Sequence, residues 1–203
     1  MAAARVVASL DFMPKKRGCP VTHPAFAVDL WPDFWTEGDL AVLPDDGHRY
    51  EIIDGSLVVT PPPHGRHQNI ATNLMVLLHT AAPPGWRILQ AVGVRLPGAN
   101  FIPDLVALRP GAVLDVWHEA SDVGLVVEVA SGSTQDFDRG SKAIKYAKAG
   151  IPAYWRVALD GSVTVEALVA PGQYGIVAEV KPGQAWEAAV PFPVVLDPDA
   201  LIV

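Results

Sequence analysis

The sequence predicts an α/β domain in which a mixed sheet carries helices packed against it. Three observations predict it. Short apolar segments alternate at period two from Tyr50 onward, the segment from about His64 to Ala81 repeats its apolar residues at helical spacing, and the segments run in the order hairpin, helix, strands, helix, hairpin. A chain of 203 residues with 50% hydrophobic content can bury one substantial core, so residues 34–203 are expected to form one domain behind an irregular or mobile leader, residues 1–33.

No apolar run approaches the roughly 18 residues that a membrane span requires. The first apolar stretch is too short for a secretory signal and is soon followed by Lys15, Lys16 and Arg17, so a cytoplasmic protein with no membrane partner is expected. A single cysteine, Cys19, excludes an internal disulfide and a cysteine-rich zinc site.

The leader contains Pro14, Pro20, Pro24 and Pro32, and Trp31, Phe34 and Trp35 form an apolar cluster expected to anchor it. A short helix is expected over Thr36–Leu43, with Thr36 as N-cap and Asp39 three residues on. Pro44-Asp45-Asp46-Gly47 is a turn. Tyr50–Asp54 and Ser56–Thr60 read as a hairpin closed by Asp54-Gly55. Glu51 alternates with Ile53, and an exposed edge position would account for it without any chemistry.

In the helix that follows, Ile70, Leu74, Leu77, Leu78 and Ala81 share one face. His67 falls on or near that face in the first turn, where a half-buried, hydrogen-bonded imidazole is the ordinary outcome. Trp86–Leu96 reads as one strand. Ala153–Leu159 and Ser162–Val169 flank Asp160-Gly161 as a second hairpin, Tyr174–Val180 adds a strand, and Val194–Leu196 closes the chain.

Two acids interrupt the apolar strands between these hairpins. Alternation places Ile102, Asp104 and Val106 on one face of the first, and Val126, Glu128 and Ala130 on one face of the second. Paired with those faces aligned, the two carboxylates would repel unless a cation lay between them. A divalent metal would supply it, and hard oxygen ligands suit Mg²⁺ or Mn²⁺. Without metal, removing one of the two charges is expected to relieve repulsion.

The next helix starts at Ser133 with Asp136 three residues later and stops at Gly150 before Pro152. Its apolar side centres on Ala143, Tyr146 and Ala147. Lys142 borders that side, while Lys145 and Lys148 point further toward solvent. All three lysines could equally be solvated charges on an exposed face.

Pro103-Asp104 followed by Glu128-Val129-Ala130 resembles the PD-(D/E)XK nuclease superfamily, and the surrounding residues resemble its Uma branch of restriction endonucleases. The resemblance rests on Arg49-Tyr50-Glu51-Ile52-Ile53-Asp54-Gly55, Pro61-Pro62-Pro63 with Arg66-His67-Gln68, Pro103-Asp104, Val127-Glu128-Val129, Ser133-Thr134, Lys142 with Tyr146, and Gly150-Ile151-Pro152-Ala153-Tyr154-Trp155. It covers about residues 36–170. The superfamily places a lysine two residues after the glutamate, where this chain has Ala130. In the Uma branch the lysine lies on the following helix, and Lys142 is the matching position.

The resemblance implies a restriction-endonuclease-like fold with additional hairpins and a metal-dependent endonuclease acting on DNA. Asp104, Glu128 and Glu51 would be the metal-binding acids, with the Val129 carbonyl as a candidate further ligand. Lys142 would orient water or stabilise developing charge, and His67 would join the site. The homodimeric state is left open.

The formal charge of −7 argues against a general polyanion binder, so a nuclease here must concentrate its basic groups or use metal to offset phosphate. The same charge and the missing lysine at Ala130 favour a rival of another class, a non-catalytic nuclease-fold module that binds nucleic acid or protein. No nucleophile-elbow pattern supports a serine or cysteine hydrolase.

Overall fold

The computed structural model describes residues 7–8, 32–130 and 138–203. Cys19, Trp31 and the expected helix start at Ser133–Asp136 lie outside the described residues. Of the expected leader, Val7–Ala8 (β1) forms a two-residue strand.

Glu37–Leu40 (α1) is a single turn, shorter than the expected Thr36–Leu43. Its start is the expected one, because the Thr36 N–H and Oγ1 both donate to Asp39 Oδ2 at 2.7 Å. Arg49–Ile53 (β2) and Ser56–Thr60 (β3) form the hairpin. Asp54 and Gly55 take φ of 47° and 79° in its two-residue turn, the left-handed pair that matches strand twist.

Gly65–Ala81 (α2) buries His67, Ile70, Ala71, Leu74 and Leu78 along one face. Leu74 is fully buried at the centre of that face, so Leu74→Ala is expected to cost about 2–5 kcal/mol, read as a lower urea midpoint at unchanged slope.

The expected strand Trp86–Leu96 is instead two, Arg87–Gln90 (β4) and Gly93–Leu96 (β5), which belong to different sheets. The break is backbone chemistry. Ala91 adopts φ of 50° just past β4, while its N–H still donates to the Asp104 carbonyl at 3.2 Å in line with the β4–β7 register. Gly93 is required on the far side, since a Cβ there would lie 2.0 Å from the Trp117 ring. The apolar stretch around Asp104 is likewise divided, into Ala99–Phe101 (β6) and Leu105–Leu108 (β7). Asp104 therefore sits just before β7, not inside a continuous strand.

Trp117–Glu119 (β8) leads through a 3-10 turn at Ala120–Asp122 into Val123–Val129 (β9), in which every residue is buried. A π-helical turn over Asp138–Lys142 runs into Ala143–Lys148 (α3). Gly150 ends the helix at φ of 81°, with the Ile151 N–H closing back on the Tyr146 carbonyl. Ala153–Val157 (β10), Val163–Ala170 (β11) and Gln173–Val180 (β12) follow. Trp186–Ala188 (β13) pairs with Val194–Leu196 (β14), and Pro198–Leu201 (α4) closes the described chain.

Two mixed six-stranded sheets result, in the orders β1-β3-β2-β6-β5-β8 and β12-β11-β10-β9-β7-β4. The second has a different core on each face. Ile70, Leu74 and Leu78 of α2 meet Leu105, Val127, Val129 and Trp155 on one side. On the other, Val106, Val126 and Tyr154 meet Tyr146 of α3 together with Val94, Leu96 and Phe101 of the first sheet. Among the described residues no helix is long and apolar enough to cross a membrane.

Candidate active site

The site lies where β2, the β6–β7 break, β9, α2 and α3 converge, and strand register brings its acids there. In the antiparallel β7–β9 ladder Val106 faces Val126 and Leu105 faces Val127. One step beyond the ladder, Asp104 stands across from Glu128. Glu51 arrives from β2, whose two edges are occupied by β3 and β6, so it is interior and only 3% exposed. The exposed-edge reading of Glu51 is thus corrected: non-local pairing with β6 covers it.

Lys142 joins two of these acids. Its Nζ donates to Glu51 Oε1 at 3.0 Å and to Glu128 Oε1 at 3.2 Å, and lies 5.2 Å above the Phe101 ring. Tyr146, four residues on and so on the same helix face, donates its hydroxyl to Glu128 Oε1 at 3.0 Å. Burial, followed by the nearby charges of Glu128 and Glu51, pushes the Tyr146 hydroxyl well above its usual value and keeps it a donor. Tyr146 is locked by edge-on packing against Phe101, with centroids 5.5 Å apart. Glu51 Oε1 also accepts the Ile102 N–H at 2.7 Å, which pins the break between β6 and β7.

Asp104 has different partners. Arg49 Nη1 donates to Oδ1, while Oδ2 accepts from the Val129 N–H at 2.8 Å and from His67 Nε2 at 3.0 Å. Burial alone would raise the Asp104 carboxyl. The His67 hydrogen bond, the Arg49 charge and the Val129 N–H outweigh it and hold the group below the usual carboxylate range. An ionised Asp104 can only accept, so His67 Nε2 carries the hydrogen of that bond. His67 is 4% exposed, and its Nδ1 has no hydrogen-bond partner among the described residues.

All five expected site residues, Asp104, Glu128, Lys142, Glu51 and His67, therefore meet in one buried constellation. Two expectations are corrected. The acids do not face each other as bare charges, because Arg49, His67 and Lys142 stand among them. Lys145 is not left in solvent: its Nζ donates to Asp54 Oδ1 at 2.7 Å, on the β2–β3 turn. Lys148 is exposed, as expected.

Nothing in the local pattern gives Arg49 a role, although it shares a strand face with Glu51 two residues away. That shared face, and its place at the head of the Arg49–Gly55 stretch that carries the resemblance, are the signals that could have found it. The guanidinium also feels the charges of Glu128 and Glu51, which together with Asp104 raise its pKa against the opposing effect of burial. The donor chemistry of Glu51, Asp104 and Glu128 suits a hard divalent cation. Among the described residues, however, no three His, Cys, Asp or Glu side chains are already gathered as a metal-holding group.

A family model, Uma2, described as "Putative restriction endonuclease", matches residues 38–197. The fold is also similar to the crystal structure of a protein from Anabaena variabilis ATCC 29413 titled a putative nuclease belonging to DUF820. The TM-score is 0.64 at 14% identity, covering 81% of this chain and 96% of that one. No curated protein matches the chain.

Proposed function

The chain belongs to the Uma2 family of nuclease-like proteins, and from that premise we propose that it is a metal-dependent endonuclease hydrolysing phosphodiester bonds in DNA. The observation that carries this reading is that Glu51, Asp104 and Glu128 are all buried around the end of β9, with a lysine ammonium between Glu51 and Glu128.

Asp104 and Glu128 would hold Mg²⁺ or Mn²⁺, with Glu51 completing the acidic set. The ion's chemistry is to lower the pKa of a bound water and offset charge on the phosphate. Lys142 is placed to orient that water or stabilise developing negative charge without reorganising, because Glu51, Glu128 and the Phe101 ring already fix it. Tyr146 orients Glu128, and His67 with the Val129 N–H orients Asp104.

A second reading, a binding module without catalysis, draws support from the ion pairs that already engage the acids and from the −7 charge. Incubating supercoiled plasmid with the protein and Mg²⁺ or Mn²⁺ separates the two. Expected are metal-dependent nicking or linearisation by the parent, none by Asp104→Ala, and near-parental activity for Lys145→Met and Lys148→Met, which lie outside the constellation. A parent inert with both ions leaves the binding module.

A further inference from the structure

We propose that Arg49 is a displaceable counterion of the acid set: its guanidinium holds Asp104 in the metal-free protein, a divalent cation takes its place there, and the released guanidinium engages the phosphodiester. The proposal rests on the metal-dependent reading above and assigns a residue that reading does not use.

The two basic side chains that pair with the acids differ in their freedom to leave. Lys142 has a side chain only 7% exposed, set between Glu51 and Glu128, so moving it would strand buried charge. Arg49 is 22% exposed while its partner Asp104 is 3% exposed. The guanidinium therefore sits at the solvent side of the carboxylate, where swinging outward returns it to water rather than to an apolar interior. It is more weakly hydrated than an ammonium and its fork matches a phosphate as well as a carboxylate, so its two positions have similar chemistry.

Charge favours the exchange. Among the described residues, the three carboxylates outnumber the fixed charges of Arg49 and Lys142 by one when the His67 ring is neutral. A divalent ion in Arg49's place removes that excess. The same exchange frees Asp104 Oδ1, while His67 and the Val129 N–H keep hold of Oδ2. The carboxylate thus stays oriented when Arg49 leaves, and a positive group becomes available beside the metal where the negative substrate must approach. Arg49 then has opposite effects on two steps: it weakens metal binding and strengthens substrate binding.

Mn²⁺ titrated calorimetrically into the parent and into Arg49→Gln tests the first effect. Arg49→Gln, which can still donate to Asp104 but carries no charge, is expected to bind Mn²⁺ about tenfold more tightly, a gain of about 1.4 kcal/mol. Equal or weaker binding than the parent overturns the proposal and leaves the metal-dependent reading in place. No binding by either protein removes both. A second measurement needs no substitution: modification of Arg49 by an arginine-selective dicarbonyl, followed by peptide mass spectrometry, is expected to rise several-fold when the parent is saturated with Mn²⁺. Labelling unchanged at a saturated metal site also overturns the displacement.

Discussion

Lys142→Met is expected to lower plasmid cleavage by about 10²–10³-fold and to destabilise the protein by about 3–5 kcal/mol. Both losses have one cause. The methionine fills similar space beside Phe101 but takes away the ammonium that Glu51 and Glu128 share, leaving two carboxylates to face each other in a buried setting. Urea unfolding beside the cleavage assay reads both. Adding Glu51→Gln removes one of the two charges, so the double variant should recover part of the stability but none of the activity, with a coupling of about 0.5–3 kcal/mol. Equal activity losses in Lys142→Met, Lys145→Met and Lys148→Met would instead mark a general electrostatic effect of the helix.

Asp104→Asn is expected to abolish cleavage and to lower, not raise, stability at neutral pH. Two bare carboxylates would have gained from losing a charge, but Asp104 is held by Arg49, His67 and the Val129 N–H, so the sign reverses. The loss is expected near 3–5 kcal/mol, the cost of breaking a buried charged pair.

Acid dependence supplies the check. The folded-state pKa of Asp104 lies below the ordinary value of about 3.9, so its contribution is complete above that value and disappears as pH falls through the depressed one. Urea midpoints followed from pH 7 downward should therefore fall more steeply below about pH 4 in the parent than in Asp104→Asn. Coincident slopes would mean that another carboxyl carries the acid sensitivity. Added Mn²⁺ should raise the melting temperature of the parent by mass action and do so much less in the Asn variant.

Local sequence determined much of what surrounds this site. The helical repeat of Ile70, Leu74 and Leu78 placed α2 almost residue for residue, and its first turn put His67 on the packed face. Asp54-Gly55 closed the first hairpin because those two residues accept the left-handed backbone that the turn needs. Lys142 and Tyr146, four residues apart, were bound to share a helix face whatever lay opposite. These features depend on contacts within a few residues, and periodicity and turn chemistry report such contacts directly.

The tertiary structure decided which charges meet. Arg49 reaches Asp104 across 55 residues and Lys142 reaches Glu51 across 91, and the sequence carries no local trace of either pairing. The apolar alternation of Trp86–Leu96 was real, yet the chain changes sheet at Ala91 because β4 pairs with β7 while β5 pairs with β6 and β8. Likewise, Pro103-Asp104 stood in a continuous apolar run, but the Glu51 carboxylate captures the Ile102 N–H and ends β6 there. Alternation specifies which side a residue faces, whereas the partner on that side follows from strand order. That order is set by burying the whole apolar surface at once, and so a lone strand glutamate became interior and an arginine with no assigned role became the counterion of Asp104.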